Sequence, residues 1–314
     1  MSEAGAPRGA ERVASIDVGS NSVLMLVAER VGEGPWARVE DAAEVTRISE
    51  GLDASGSLAP APVERTLAQL RRYVARAREL GVARFVATGT APFRRADNGA
   101  DVARMLGREL GLRLDVVSGE REAELSQIAT RDAFPELDAM TILDIGGAST
   151  EVIALPRGGA AEVISLDVGA VRLGERFGTA AALDAPAADA LRQAVAEAIR
   201  PAAHLLAPGR PVIGIAGTVT TLATAAMGLD VWDAERVHGF RLRADEVRRL
   251  RAALAPMRVE ERAALPGVPA KRADVLPAGA ALLAALLEAA EASEVIVSDR
   301  GVRWGRLAEF GAGS

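Results

Sequence analysis

The chain has 314 residues, 49% of them hydrophobic, a net charge of -6 and no cysteine. That is enough apolar content for one large or two medium cores, and the missing thiols exclude disulfides, thiolate nucleophiles and cysteine-bound zinc. The acidic balance argues against a general nucleic-acid binder, and the two histidines, His204 and His238, are too far apart in sequence to form a local metal pair.

Any hydrolytic chemistry must therefore rest on carboxylates, hydroxyls, backbone amides and hard cations such as Mg²⁺. Residues 1–12, "MSEAGAPRGAER", lack the apolar stretch of a signal peptide and read as a disordered tail. Residues 13–28, "VASIDVGSNSVLMLVA", place two apolar runs around "DVGSNS", the pattern of a β-hairpin with a polar turn. From Glu64 to Leu80 apolar residues recur at spacings of three and four, which predicts an amphipathic helix stopped by Gly81. "VARFVATGT" reads as a strand, Asp101 to Leu110 as a helix, "LRLDVV" as a strand, and "SGEREAELSQIA" as a further helix. Alternating strands and helices imply a parallel or mixed α/β sheet.

At "AFPELDAM" the pattern starts over, and "TILDIGGASTEVIAL" repeats the opening hairpin. Asp17 and Asp144 lead the two turns about one domain length apart, so two related domains are expected, residues 13–130 and 131–314. The last helix, in "GVRWGRLAEF", is free to pack back on the first domain. Before it come a helix from Ala187 to Ala203, the strand "PVIGIAG", a helix opening at "TVTTLATAAMG", an Ala/Leu-rich helix over 275–290 and the strand "EVIVSD". The longest apolar run, Val275 to Leu287, contains Pro277 and Gly279 and falls short of the roughly 20 residues of a membrane span. A buried helix in a cytoplasmic protein is the expectation, with no membrane partner, and the apolar final helices suit a homodimer.

A hairpin turn of Gly, Ser, Asn and Thr exposes backbone N–H groups without bulky side chains in the way, which suits phosphate oxygens. Gly19, Ser20, Asn21 and Ser22 in the first turn, and Gly146, Gly147, Ala148, Ser149 and Thr150 in the second, are the expected phosphate cradle. An Asp at the strand end before such a turn can hold hydrated Mg²⁺ against the phosphate, because Mg²⁺ prefers carboxylate oxygens. One such turn is weak evidence, and two at domain spacing are much stronger.

The two turns, with "VSGEREAELS", "GIAGTVTTLA" and "SDRGVRWG" in this order, resemble the exopolyphosphatase and guanosine pentaphosphate phosphatase (Ppx/GppA) family of the actin-like ATPase superfamily. The resemblance is to the short form, without the C-terminal helical domain of longer members. It implies two ribonuclease-H-like domains facing across a cleft, Mg²⁺ as cofactor, and release of terminal phosphate from inorganic polyphosphate or guanosine pentaphosphate, the latter a link to the stringent response. It makes Glu122 the general base, Arg94 a phosphate contact, and Asp144, Glu151 and Asp17 the residues around the metal. Two departures stand out: Ala148 replaces a glycine and is expected to put a methyl group at a phosphate-facing corner, and Leu24 stands where relatives often carry a basic residue. They permit a nucleotide or alarmone binder without turnover as one alternative; a phosphotransferase of the same superfamily, in which a hydroxyl or nucleotide replaces water, is the other.

Overall fold

The computed structural model describes residues 10–310. The opening hairpin consists of β1 (Ala10–Val18) and β2 (Ser22–Val31), antiparallel with Val18 opposite Val23, and β3 (Ala37–Val45) continues the meander. Of the expected tail, Ala10–Arg12 are paired strand residues and 1–9 lie outside the described residues. The short helix α1 (Leu52–Ser55) follows, then α2 (Pro60–Glu79), β4 (Arg84–Gly89), α3 (Ala91–Arg95), α4 (Gly99–Leu110) and β5 (Leu114–Val116). α2 begins four residues earlier than its apolar periodicity suggests, because Pro60 fits the first helical turn, where no N–H is needed. These strands form one sheet in the order β3-β2-β1-β4-β5, with β4 and β5 added in parallel. Alternate residues Ile16, Val18, Met25 and Val27 pack with Leu70 and Tyr73 of α2 on one face of it.

The next stretch supplies α5 (Gly119–Ala133), β6 (Met140–Ile145), β7 (Thr150–Leu155), β8 (Glu162–Leu166), α6 (Ala170–Phe177) and α7 (Ala185–Ile199). It continues with β9 (Val212–Ile215), α8 (Ala216–Met227), α9 (Ala234–Val237), β10 (Arg241–Arg243), α10 (Ala244–Leu254), α11 (Val259–Ala263), α12 (Leu276–Ala289) and β11 (Glu294–Val297). The second sheet runs β10-β11-β9-β6-β7-β8. Its meander β6–β8 and the parallel additions β9 and β11 repeat the topology of the first sheet, and β10 is an extra antiparallel edge. α12 is buried almost all round, as its unbroken apolar run requires.

The chain divides into two compact units, one of the residues up to Ser118 together with those from Val302 on, the other Gly119–Gly301. The division falls ahead of α5 and not at residue 130, because Ala123 of α5 packs into a core with Met140 and Ile142 of the second sheet. The last helix, α13 (Val302–Glu309), belongs to the first unit, where Arg303 pairs with Asp41 and donates to the Met25 carbonyl at 3.2 Å, and Arg306 pairs with Asp115 at 3.0 Å.

Candidate active site

Side chains of β6 alternate between two cores. Met140 and Ile142 join Ala123 of α5, while Leu143 and Ile145 join the core on the opposite face. Period-two alternation therefore turns Asp144 toward α5. In β7, Ile153 and Leu155 share the α5 side, so Glu151 faces it too, and it is the direct cross-strand partner of Asp144. Both carboxylates occupy positions where the pattern asks for apolar residues: Asp144 is 8% exposed and Glu151 1%.

Hydroxyl groups hold them. Ser126 Oγ donates to Asp144 Oδ2 at 2.9 Å, and Ser165 Oγ donates to Glu151 Oε1 at 2.7 Å. Burial, followed by the charge of Glu122, pushes the Asp144 carboxyl up to about 7 against the opposing effect of the Ser126 hydrogen bond. Burial, then Glu122, then Asp144 raise Glu151 well above the carboxylate range. Glu122 is thus the third member of one electrostatic cluster. Its neighbours are not: Glu120 and Glu124 are exposed, and Glu124 pairs with Arg121 at 2.5 Å.

The donor set around this cluster is all oxygen, which suits a hard cation, and a cation would cancel the repulsion that raises both carboxyls. Among the described residues no three or more His, Cys, Asp or Glu side chains are grouped to hold a metal alone. Asp144 and Glu151 would therefore supply two ligands and leave the rest to water and substrate oxygens, the mode Mg²⁺ favours. Asp17 lies half-buried near the end of β1, in the other unit.

The two turns share their closing bond. Gly19 N–H donates to the Ser22 carbonyl and Gly146 N–H to the Ser149 carbonyl, both at 3.0 Å. Behind the first turn, the Asn21 carbonyl accepts from the N–H groups of Thr46 and Arg47, and the Ser20 carbonyl accepts from the Ser49 hydroxyl at 3.1 Å. Behind the second, the first turn of α6 takes the carbonyls: Ala170 N–H donates to Gly146 at 3.0 Å and Val171 N–H to Gly147 at 2.9 Å. That fit needs Gly169, since a Cβ there would lie 2.4 Å from the Gly147 oxygen.

Two residues of the second turn differ in setting from the phosphate-facing expectation. Thr150 is fully buried and its Oγ1 donates its one hydrogen to the Val168 carbonyl at 2.6 Å, which braces the turn. Ala148 is 3% exposed, so its methyl group is packed inside and does not project from a corner. Ser149 is 7% exposed and stands two residues before Glu151, so the turn runs directly into the strand that carries this carboxylate.

Arg94, at the end of α3, is half-buried and donates through Nη1 to the Val117 carbonyl at 2.9 Å. Leu24, in β2, is half-buried. His238 Nδ1 lies 2.9 Å from Asp299 Oδ1 and its ring stacks on Phe134 with centroids 5.2 Å apart, a structural setting. Sequence reading passed over Ser126, Ser165 and the berth of Arg272. The guanidinium of Arg272 lies so close over Gly217 that a Cβ would come within 1.5 Å of Nη1, and the preceding Ala216 has a left-handed φ of 68°. Ser126 carried a signal, four residues after Glu122 and so on the same helix face.

A doubled hairpin-and-sheet fold, with a buried carboxylate cluster beside one of its two glycine turns, is that of the actin-like ATPase class. Within it the chain belongs to the Ppx/GppA phosphatase family, whose profile matches residues 27–310, and with the family comes the reaction class, hydrolysis of phosphoanhydrides. Exopolyphosphatase 2 of Mycobacterium tuberculosis is 32% identical over 286 residues, covering 86% of this chain and 88% of that protein. The crystal structure of the Aquifex aeolicus Ppx/GppA family member is 28% identical, with a TM-score of 0.78 over 96% of this chain and 97% of that one. An exopolyphosphatase structure from Cytophaga hutchinsonii, 24% identical, shares the fold with a TM-score of 0.87 over 96% of this chain and 98% of that one. Among the described residues no helix is long and apolar enough to cross a membrane.

Proposed function

We propose that the chain is a Mg²⁺-dependent cytoplasmic hydrolase that removes the terminal phosphate of inorganic polyphosphate or guanosine pentaphosphate. The observation that carries this reading is the cluster of Glu122, Asp144 and Glu151, two of its members buried and both raised by the charge of the third. Glu122 sits in the first turn of α5, where the helix dipole favours the ionised form a general base needs. It takes a proton from water as the water oxygen bonds to the terminal phosphorus. The anhydride P–O bond breaks and the shortened chain leaves with the electron pair. Asp144 and Glu151 would hold Mg²⁺, which when bound supplies neutralisation of the phosphate charge. Backbone amides of the second glycine turn, Gly146 to Ser149, are the proposed donors to phosphate oxygens within this unit, and the first turn and the Arg94 guanidinium are phosphate-binding candidates in the other.

Incubation with Mg²⁺ and polyphosphate, guanosine pentaphosphate or ATP, followed by measurement of free phosphate, tests the reading. Phosphate release from either of the first two, abolished by chelator and restored by Mg²⁺, is expected. Release that persists in excess chelator contradicts the metal requirement, and transfer of the phosphoryl group to an added nucleotide instead of water makes the protein a phosphotransferase.

A further inference from the structure

Ser126 is fully buried, and its hydroxyl spends its one hydrogen on Asp144 Oδ2. It stands one helical turn after Glu122, so both residues lie on the face that α5 presents to β6 and β7. The first turn of a helix is the part most prone to fray, because its N–H groups lack intrahelical partners. The hydrogen bond from Ser126 ties the helix to β6 just inside that turn. Its backbone carbonyl is occupied as well, by the Thr130 hydroxyl at 2.7 Å. Ser165 makes the matching contact from the other side, from β8 to Glu151.

We propose that Ser126 is a positioning residue: by holding Asp144 at Oδ2 it fixes the orientation in which this carboxylate would meet a cation, and it sets the spacing between Glu122 and the Asp144–Glu151 pair. Ser165 does the same for Glu151. Neither hydroxyl has acid–base work to do, so the contribution of each is geometric, and loss of such a contact behind a metal ligand costs roughly 10- to 100-fold in metal affinity or activity. The proposal rests on the hydrolase reading for its kinetic half and on metal binding alone for the other.

The test measures Mn²⁺ affinity by electron paramagnetic resonance in the presence of imidodiphosphate, together with kcat and KM, for the parent, Ser126→Ala and Ser126→Thr. In Ser126→Ala, Mn²⁺ affinity and kcat each fall roughly tenfold or more while KM for the phosphate substrate stays within about twofold, and Ser126→Thr, which keeps the hydroxyl, recovers both. Ser165→Ala repeats the experiment on Glu151 should Ser126→Ala not fold. A merely structural hydroxyl would lower the melting temperature and leave Mn²⁺ affinity and kcat unchanged, which would overturn the proposal. So would a parent protein that binds no Mn²⁺ under these conditions. A parent that binds Mn²⁺ with an affinity that falls in Ser126→Ala yet hydrolyses no phosphoanhydride sinks the hydrolase reading and leaves the positioning role standing.

Discussion

Asp144 and Glu151 are ionisable groups placed where a strand pair buries apolar ones, and their acidity records the cost. In the unfolded chain Asp144 ionises near its ordinary 3.8, and in the cation-free fold at about 7. Between those values the folded state holds more protons than the unfolded one. The stabilising share is therefore complete below about pH 4 and is lost as pH rises through about 7, a loss on the order of a few kcal/mol. Thermal melts in chelator should show Asp144→Asn gaining on the parent as pH rises from 4 to 8, and Mg²⁺ at pH 8 should raise the melting temperature of the parent far more than that of the variant. Glu122→Gln keeps the helix and its packing but cannot accept the proton from water. Its turnover is expected to drop roughly 10²-fold with KM little changed. Turnover within a few fold of the parent would remove Glu122 from the role of base.

At the scale of elements, the second glycine turn is shaped by α6 as much as by its own residues. Amides of α6 hold the Gly146 and Gly147 carbonyls, and the absence of a side chain at Gly169 lets the helix approach. Gly169→Ala must push the turn away, so it should weaken phosphate binding at least tenfold, while Ser22→Ala in the first turn removes a single hydroxyl and costs on the order of 1 kcal/mol. Equal effects on KM from the two substitutions would show that the second turn does not hold phosphate. The paired turns were legible in the sequence because glycine, small polar residues and a leading Asp act locally on the backbone. β3, β10 and α10 were not. β3 mixes half-exposed acids and alanines at a sheet edge, and β10 is three residues long, so neither shows a clean two-residue alternation.

At the scale of the whole molecule, the chain closes on its beginning. The Arg303–Asp41 pair, little exposed on either side, and the Arg306–Asp115 pair fix α13 to the first unit. Arg303→Ala leaves the Asp41 charge without its partner and should cost about 3 kcal/mol, read as a shift of the first urea transition to lower denaturant. An unshifted transition would mean that α13 is held by its apolar side alone. By itself the sequence determined the α/β class, the duplication, the two turns and the family, because each of these is written in local periodicity, turn chemistry or motif order. Tertiary structure decided where the units divide, that Thr150 braces the turn from within, that the charge of Glu122, already singled out by the family resemblance, acts on both buried carboxylates, and that Ser126 and Ser165 hold those carboxylates. The reason is physical. Sheet register sets Asp144 opposite Glu151, and the docking of α5 sets Glu122 and Ser126 beside them. Such contacts join residues from separate elements through the packing of whole faces, and no local pattern along the chain encodes them.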